Sequence, residues 1–437
     1  MSNIKLFGAS LVLACLGVPA LAQDATRENV RYCGIGHQGT EAAFKAENPV
    51  LSSFLSDTKF KTALNAKLLE QTKALGWSIN LYGKDEAQGK GAHLGLSHVI
   101  TYEDVVSQNF VDPRDGNHYF NTAYSFGVNT IIFDVNDRQV KALVPAIITY
   151  NEITPGQPDK LAKTKGFGAI FDRFGDGDSA MDRWLVSIKS LPIRHDERTF
   201  FQVVPLELSD SAKASLANTG PVPAQSAQLF SRRMTSHYES LLALTFGKPI
   251  VPVAVAADGA KVAGNAYVAN IPDCLGTSSQ LVLPDPSYKM RLTVDKLTDA
   301  TIRHDIASTD NGQGATEVQT EFAYGGRFRS EILQFDSLNG DKPIDAHVFR
   351  FVRSLRFSGS REVDKFDQFS KLTSNFMKEL LDAYAFQKRD WVKDNISASI
   401  SDKKQKDPAR IAKEWKVLLQ DTMKVAPAPQ GADVGGR

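Results

Sequence analysis

The sequence predicts an α+β protein: two related modules of helix plus antiparallel sheet, followed by a C-terminal helical segment. Three observations predict it. Apolar residues recur at helix spacing in several 15- to 20-residue stretches. Others alternate with period two over long runs. The order helix, glycine-capped strand, long meander then occurs twice, with little residue identity between the copies.

The elements follow in chain order. Lys5, the apolar run Leu6–Leu16, Gly17, Pro19 and the small-residue site Ala20-Leu21-Ala22 have the layout of a secretory signal. Cleavage there starts the mature chain at Gln23, and residues 23–155 form the first module. A β-type run, Asn29–Cys33, leads into a glycine turn, Gly34–Gly39. A helix is expected over Thr58–Leu75, with Phe60, Leu64, Leu68 and Leu75 in one stripe and Gly76 at its C-cap. Strands follow at Trp77–Tyr82 and Leu94–Val105, the latter with Leu94, Leu96, His98, Ile100 and Tyr102 on one face. Phe120–Ile132 alternates most clearly of all, and Asn136-Asp137 turns it into Val140–Tyr150. Pro145 places that return strand at a sheet edge or near a bulge.

Residues 156–217 read as a connecting segment with a helix over Met181–Leu191 and a strand over Thr199–Leu208. The second module, 218–360, opens with a Gly/Pro linker (Asn218–Gln225) and a helix to Phe246. Strands are expected at Ile250–Val255 and Met290–Leu297, and after the Asp310-Asn311-Gly312 turn at Ala315–Leu333. In 361–425, Phe366, Phe369, Leu372, Phe376, Leu380 and Tyr384 mark one long amphipathic helix running towards Trp391. Asp407-Pro408 starts a second helix carrying Trp415. Residues 426–437 are Pro/Gly-rich and are expected to lack structure.

The composition excludes several function classes. Of 437 residues, 51 are Lys or Arg and 50 Asp or Glu, a net charge of +1, so no global field draws nucleic acid or an anionic surface. No apolar run after the signal reaches membrane-spanning length. Cys15 sits in a partial lipobox (Val12–Cys15), which makes a lipid anchor the alternative to free export. Cys33 and Cys274 remain in the mature chain. In an oxidising compartment they are either one disulfide, worth roughly 5 kcal/mol for so long a loop, or two separate buried thiols.

Chemistry-bearing motifs are few. Gly34-Ile35-Gly36-His37-Gln38-Gly39 matches a dinucleotide fingerprint by letter, but the expected βαβ unit does not follow, and no cofactor is assigned. Asp172–Asp178 resembles a calcium loop that lacks ligands at Phe174 and Arg183, so no metal is assigned either. The tetrapeptide Ile-Arg-His-Asp occurs twice, making His195, Asp196, His304 and Asp305 the candidate polar site. The order of elements in each module resembles the small α+β domains of curli-secretion and TolB-type envelope proteins, without a shared motif, so no residue role carries over.

These features imply an exported, periplasmic or secreted, non-enzymatic envelope scaffold or assembly accessory. Its partner would be another envelope protein or a second copy; the C-terminal helices around Trp391 and Trp415 are either a solvated pair packed on its aromatic face, which the interleaved acids favour, or a membrane-surface contact. Two alternatives stand beside it. One is an exported hydrolase whose two His-Asp pairs converge. The other is a ligand-binding protein with a preformed apolar pocket between the modules.

Overall fold

A computed structural model describes residues 27–77, 79–111, 117–156, 158–189, 200–217, 219, 226–246, 250–252, 266–307, 316–338, 340–358 and 364–399. The signal segment, Cys15, most of the 218–225 linker, the Asp310-Asn311-Gly312 turn, the Trp415 helix and the tail lie outside them.

The first unit runs β1 (Glu28–Gln38), α1 (Glu41–Glu47), α2 (Pro49–Ser56), α3 (Thr58–Ala74), β2 (Ile79–Tyr82), α4 (Lys84–Gln88), β3 (Leu94–Val111), β4 (His118–Asp134), β5 (Val140–Thr154), α5 (Lys160–Asp172) and α6 (Ala180–Lys189). Local chemistry sets the helix starts. Thr40 accepts from the Ala43 amide, Pro49 at the first position of α2 stops α1 at Asn48, and Asp57 caps α3 by accepting from Lys59 and Phe60. The second unit runs β6 (Phe201–Val203), β7 (Glu207–Leu208), α7 (Asp210–Leu216), α8 (Ser226–Phe246), β8 (Ile250–Val251), β9 (Ala266–Ile271), β10 (Gly276–Val282), β11 (Tyr288–Ala307), β12 (Thr316–Gln334), β13 (Lys342–Ser358), α9 (Lys365–Phe386), α10 (Arg389–Asn395) and β14 (Ile396–Ser399).

The strands form two seven-stranded sheets, β10-β9-β1-β3-β4-β5 with β2 beside β1, and β14-β13-β12-β11-β6-β8 with β7 beside β11. The expected α+β class holds, with a correction: the sheets are mixed. Each antiparallel meander is joined by a strand that pairs parallel to its first member, β1 to β3 in one sheet, β6 and β7 to β11 in the other.

The repeat goes deeper than element order. β1 pairs with β3 from Val30↔Leu94, slips at Gly34, and resumes at Ile35↔His98. β6 pairs with β11 from Phe201↔Tyr288, breaks around Pro205, and resumes as β7 at Glu207↔Thr293. Thr101 bulges from β3 and Asp295 from β11, the same number of residues beyond Leu94 and Tyr288. Both meanders slip once more just before the end of their middle strand, after Ile132 and after Ile332. Bulges fix strand register and twist, so their coincidence in both sheets marks two copies of one frame.

Helices cover one face of each sheet. Leu64, Leu68, Phe167, Phe171, Met181 and Trp184 close the first core, so α5 and α6 belong to it although they lie in the 156–217 stretch. Phe230, Met234 and Tyr238 of α8 and the whole expected α9 stripe, Phe366 to Tyr384, close the second. A third cluster, on the other face of the first sheet, joins Cys33, Val99, Ile131 and Phe133 to Tyr267, Ile271 and Leu281 of the β9–β10 hairpin.

Other expectations are corrected by the structure. Gly34–Gly39 is not a turn. Most of it is strand, and Gly34 is the bulge, at φ 75°. Gly36 permits backbone contact, since a Cβ there would lie 2.1 Å from the Asn270 carbonyl oxygen of β9. Leu94 to Ile100 do share a face, but the Thr101 bulge sends Tyr102 to the opposite one, opposite Gly127. The 199–208 strand splits at Pro205, and β9, β10, β13 and α5 have no counterpart in the sequence reading. The helix towards Trp391 stops at Phe386, because Gln387 turns left-handed at φ 54°. Pro145 does lie on an edge strand, β5.

Candidate inter-module cleft

The bulge at Thr101 decides where the site lies. By turning Tyr102 and Asp104 away from the first helical layer, it points them at α8, which packs against β5 on that face. Gly127 makes room: a Cβ there would meet the Tyr102 ring at 2.4 Å. Between these surfaces is a cleft of about 410 Å³, within the range of small-molecule sites. The first unit supplies Phe44 and Glu47 of α1, Tyr102 of β3, Asn129 of β4, and Pro145 and Ala146 of β5. The second supplies Gln228, Arg232, Thr235 and Glu239 of α8, with Pro205 and Pro252.

Much of the wall is already held by internal bonds. Asn129 donates to the Tyr267 hydroxyl (3.0 Å), Asn48 accepts from the Glu103 amide (2.6 Å), and Thr235 accepts from the Leu206 amide (2.8 Å). Arg232 spans to Glu47 at 3.6 Å, and behind it Arg233 meets the buried Asp104 at 3.5 Å. Burial raises the Asp104 carboxyl above its usual range, and the Arg233 and Arg232 guanidiniums oppose that rise. The Tyr102 hydroxyl is buried without a hydrogen-bond partner, and unlike Asp104 and Arg233 beside it, it has no ion pair in compensation. Burial keeps this phenol neutral, as a donor and acceptor set among Arg233, Asp104, Arg232 and Glu239. The cleft therefore carries two carboxylates and one guanidinium among proline and aromatic surface, with the unpartnered Tyr102 hydroxyl buried inside its wall.

Beside the cleft the β9–β10 hairpin is tied to β1. His37 is buried, stacks on Phe44 at 4.3 Å, and has Glu41 (2.9 Å) and Asn270 (3.0 Å) at its Nε2. Cys33 and Cys274 form a disulfide, with Cα atoms 5.3 Å apart, and Arg31 donates to the Asp273 carbonyl (2.9 Å).

The structure brings none of the described residues singled out from sequence as the candidate polar site into this lining. His195 and Asp196 fall outside the described residues. His304 and Asp305 sit on β11 in register with Gln319 and Val318 of β12, near the hairpin end. In the loop that resembles a calcium site, Asp182 accepts from the Gly175, Gly177 and Ser179 amides and the Ser179 hydroxyl. Its carboxylate is occupied by the helix start. Among the described residues no group of three or more His, Cys, Asp or Glu is placed to hold a metal. Ser374 and His237 are hydrogen-bonded across the α8–α9 seam, outside the cleft lining. Trp391 packs on Phe349 (5.8 Å) and Phe376 (6.2 Å), so it serves the second core rather than an outer docking face.

Sequence reasoning did not single out Tyr102, Asn129, Arg232 or Glu239. The one available signal was Gly127 inside the strongest β run, which marks a place where something approaches closely.

No family model matches the sequence, and no curated protein matches it. Among solved structures, a Helicobacter pylori protein described as a neuraminyllactose-binding hemagglutinin homolog aligns at 11% identity and a TM-score of 0.21, over 51% of this chain and 96% of that one. A lipopolysaccharide binding protein aligns at 8% identity and a TM-score of 0.08, over 65% of this chain and 78% of that one. Likeness at this level carries no argument. Among the described residues no helix is long and apolar enough to cross a membrane.

Proposed function

We propose that this is an exported, non-enzymatic binding protein that holds a small polar molecule in the cleft between its two modules. The observation that carries the reading is the buried, unpartnered Tyr102 hydroxyl in the wall of that cleft. An orphaned buried hydroxyl costs roughly 1–3 kcal/mol, a cost that a bound polar group removes. Glu47 and Glu239 against Arg232 leave the lining one negative charge in excess, which favours a neutral or cationic occupant over an anion. Export rests on the signal-like first 22 residues, and a disulfide closing a 241-residue separation suits an oxidising compartment. Trp391 packs against the second core and so lends the envelope-scaffold reading no support, while Trp415 lies outside the described residues.

Native mass spectrometry of the protein purified gently from its own host tests this. The expected result is a chain carrying an extra mass on the order of a few hundred Da, a size that fits such a cleft. Ala146→Trp, which fills the cleft, is expected to release that mass while the circular dichroism stays unchanged. A bare chain, together with no thermal shift across sugars, amino acids and polyamines, rejects the proposal.

A further inference from the structure

The second sheet carries a surface that the first has buried. In register, the residue after each bulge begins a cross-strand row. In the first sheet that row is Tyr102–Gly127–Ile147, which α8 and the cleft cover. In the second sheet it is Lys296–Arg327–Arg350, and all three side chains are exposed. Like charges directly opposite one another weaken a sheet, so three adjacent cations in one row are an arrangement that folding alone disfavours. Among the described residues only Arg327 of the three has a carboxylate near it, Asp295 at 3.7 Å, which also meets Arg329 at 3.3 Å.

The two rows beyond the cations are small and uncharged: Thr298–Gly325–Val352, then Ala300–Ala323–Ser354. They make a low shelf from which Val352 stands 68% exposed, with Ile302 at 45% opposite Glu321 in the row that follows. The cations span two strand spacings, about 10 Å. No aromatic side chain lies in these rows to stack a base or a sugar ring.

We propose that this face docks on an anionic membrane surface, with lipid phosphates against Lys296, Arg327 and Arg350 and the Val352 shelf against the interface. Charge complementarity selects the partner, and the exposed aliphatic side chains beside the row select a lipid surface over a soluble polyanion. The docking is peripheral. Each basic residue near an anionic leaflet contributes about fivefold in partitioning, so the row as a whole contributes about 100-fold.

The test is co-sedimentation of the full chain with vesicles of phosphatidylcholine alone or with about one-third phosphatidylglycerol, as an anionic surface of the kind invoked. Binding is expected only to the anionic vesicles, and to fall steeply between low and physiological salt. K296Q/R327Q/R350Q is expected to lose about 100-fold of the partitioning with no fall in Tm, because it relieves like-charge repulsion. K84Q/K90Q, which removes two cations from the first unit, is expected to bind as wild type. Equal binding to both vesicles, or a triple variant that binds as wild type, overturns the proposal. So does a soluble polyanion such as heparin that binds the row while anionic vesicles do not.

Discussion

The two modules share one frame and treat its outer face in opposite ways. In the first, the row after the bulge is uncharged and lies against α8, with Asp104 two residues on forming an ion pair to Arg233. In the second, the same row is cationic and open. The helices differ to match. α3 of the first unit buries a single stripe, Leu64, Leu68 and Thr72. α8 buries two, with Phe230, Met234 and Tyr238 towards its own sheet and Thr235 and Glu239 at the cleft that adjoins the first. A duplicated module can therefore spend its second copy's helix on joining the copies, which leaves the row after the second bulge open.

The largest effect that breaks this pairing comes from the clasp. Cys274→Ser is expected to lower stability by about 2–5 kcal/mol, read as a fall in urea midpoint that reductant reproduces in the wild type. Next comes the ion pair under α8. Arg233→Ala leaves Asp104 buried and alone, and is expected to cost about 3–5 kcal/mol, with Asp104→Asn restoring part of it in the double variant. If the single variant loses less than about 1 kcal/mol, α8 does not depend on that contact.

Acid should separate the helical layers from the cleft. His98 is fully buried against Trp184 and Thr130, and burial holds its pKa down at about 3. His237 is held at about 4 by burial and by Arg233. Both are depressed below the unfolded value, so the unfolded chain binds more protons once pH drops below about 6.5. Stability is thus full above that pH and falls steadily towards pH 4, by on the order of 3 kcal/mol for His98 alone. His98→Phe is expected to flatten that slope in urea titrations at several pH values, and an unchanged slope would remove His98 as its source.

The smallest expected effect sharpens the comparison most. Tyr102→Phe removes an unpartnered hydroxyl, so the ligand-free protein should keep its stability within about 1 kcal/mol or gain slightly. The same change should weaken ligand retention in native mass spectra. A loss of several kcal/mol without ligand would show that the hydroxyl is partnered in solution.

Strong periodicity made much of the fold legible. The β4 alternation, the α8 and α9 stripes and the edge position of Pro145 could all be read from residue order. What escaped was set by partners distant in sequence. Periodicity counts residues, and a bulge inserts one without a letter to mark it, so Tyr102 was placed on the wrong face. β9 and β10 are short, and what fixes them is the β1 edge and Cys33, far earlier in the chain. β13 breaks its own alternation, with His347, Val348 and Phe349 all buried in sequence where β14 pairs with it. The cleft left no trace in sequence for the same reason. Its lining comes from elements on both sides of residue 200, and the described His-Asp pair, His304-Asp305, is not among the lining residues.

The hairpin β9–β10 also orders events in time. Part of the first sheet's edge, including the bond from the Gly39 amide to the Val268 carbonyl, is supplied by residues made long after β1. A chain emerging at roughly 5–20 residues per second leaves Cys33 waiting about 12–48 s for Cys274. During that interval Val99, Ile131 and Phe133 lack the hairpin that covers them, an exposure of the kind that makes incomplete domains prone to aggregate. Completion of the first sheet depends on the carboxy-terminal half, and a truncation anywhere before residue 282 would leave it open.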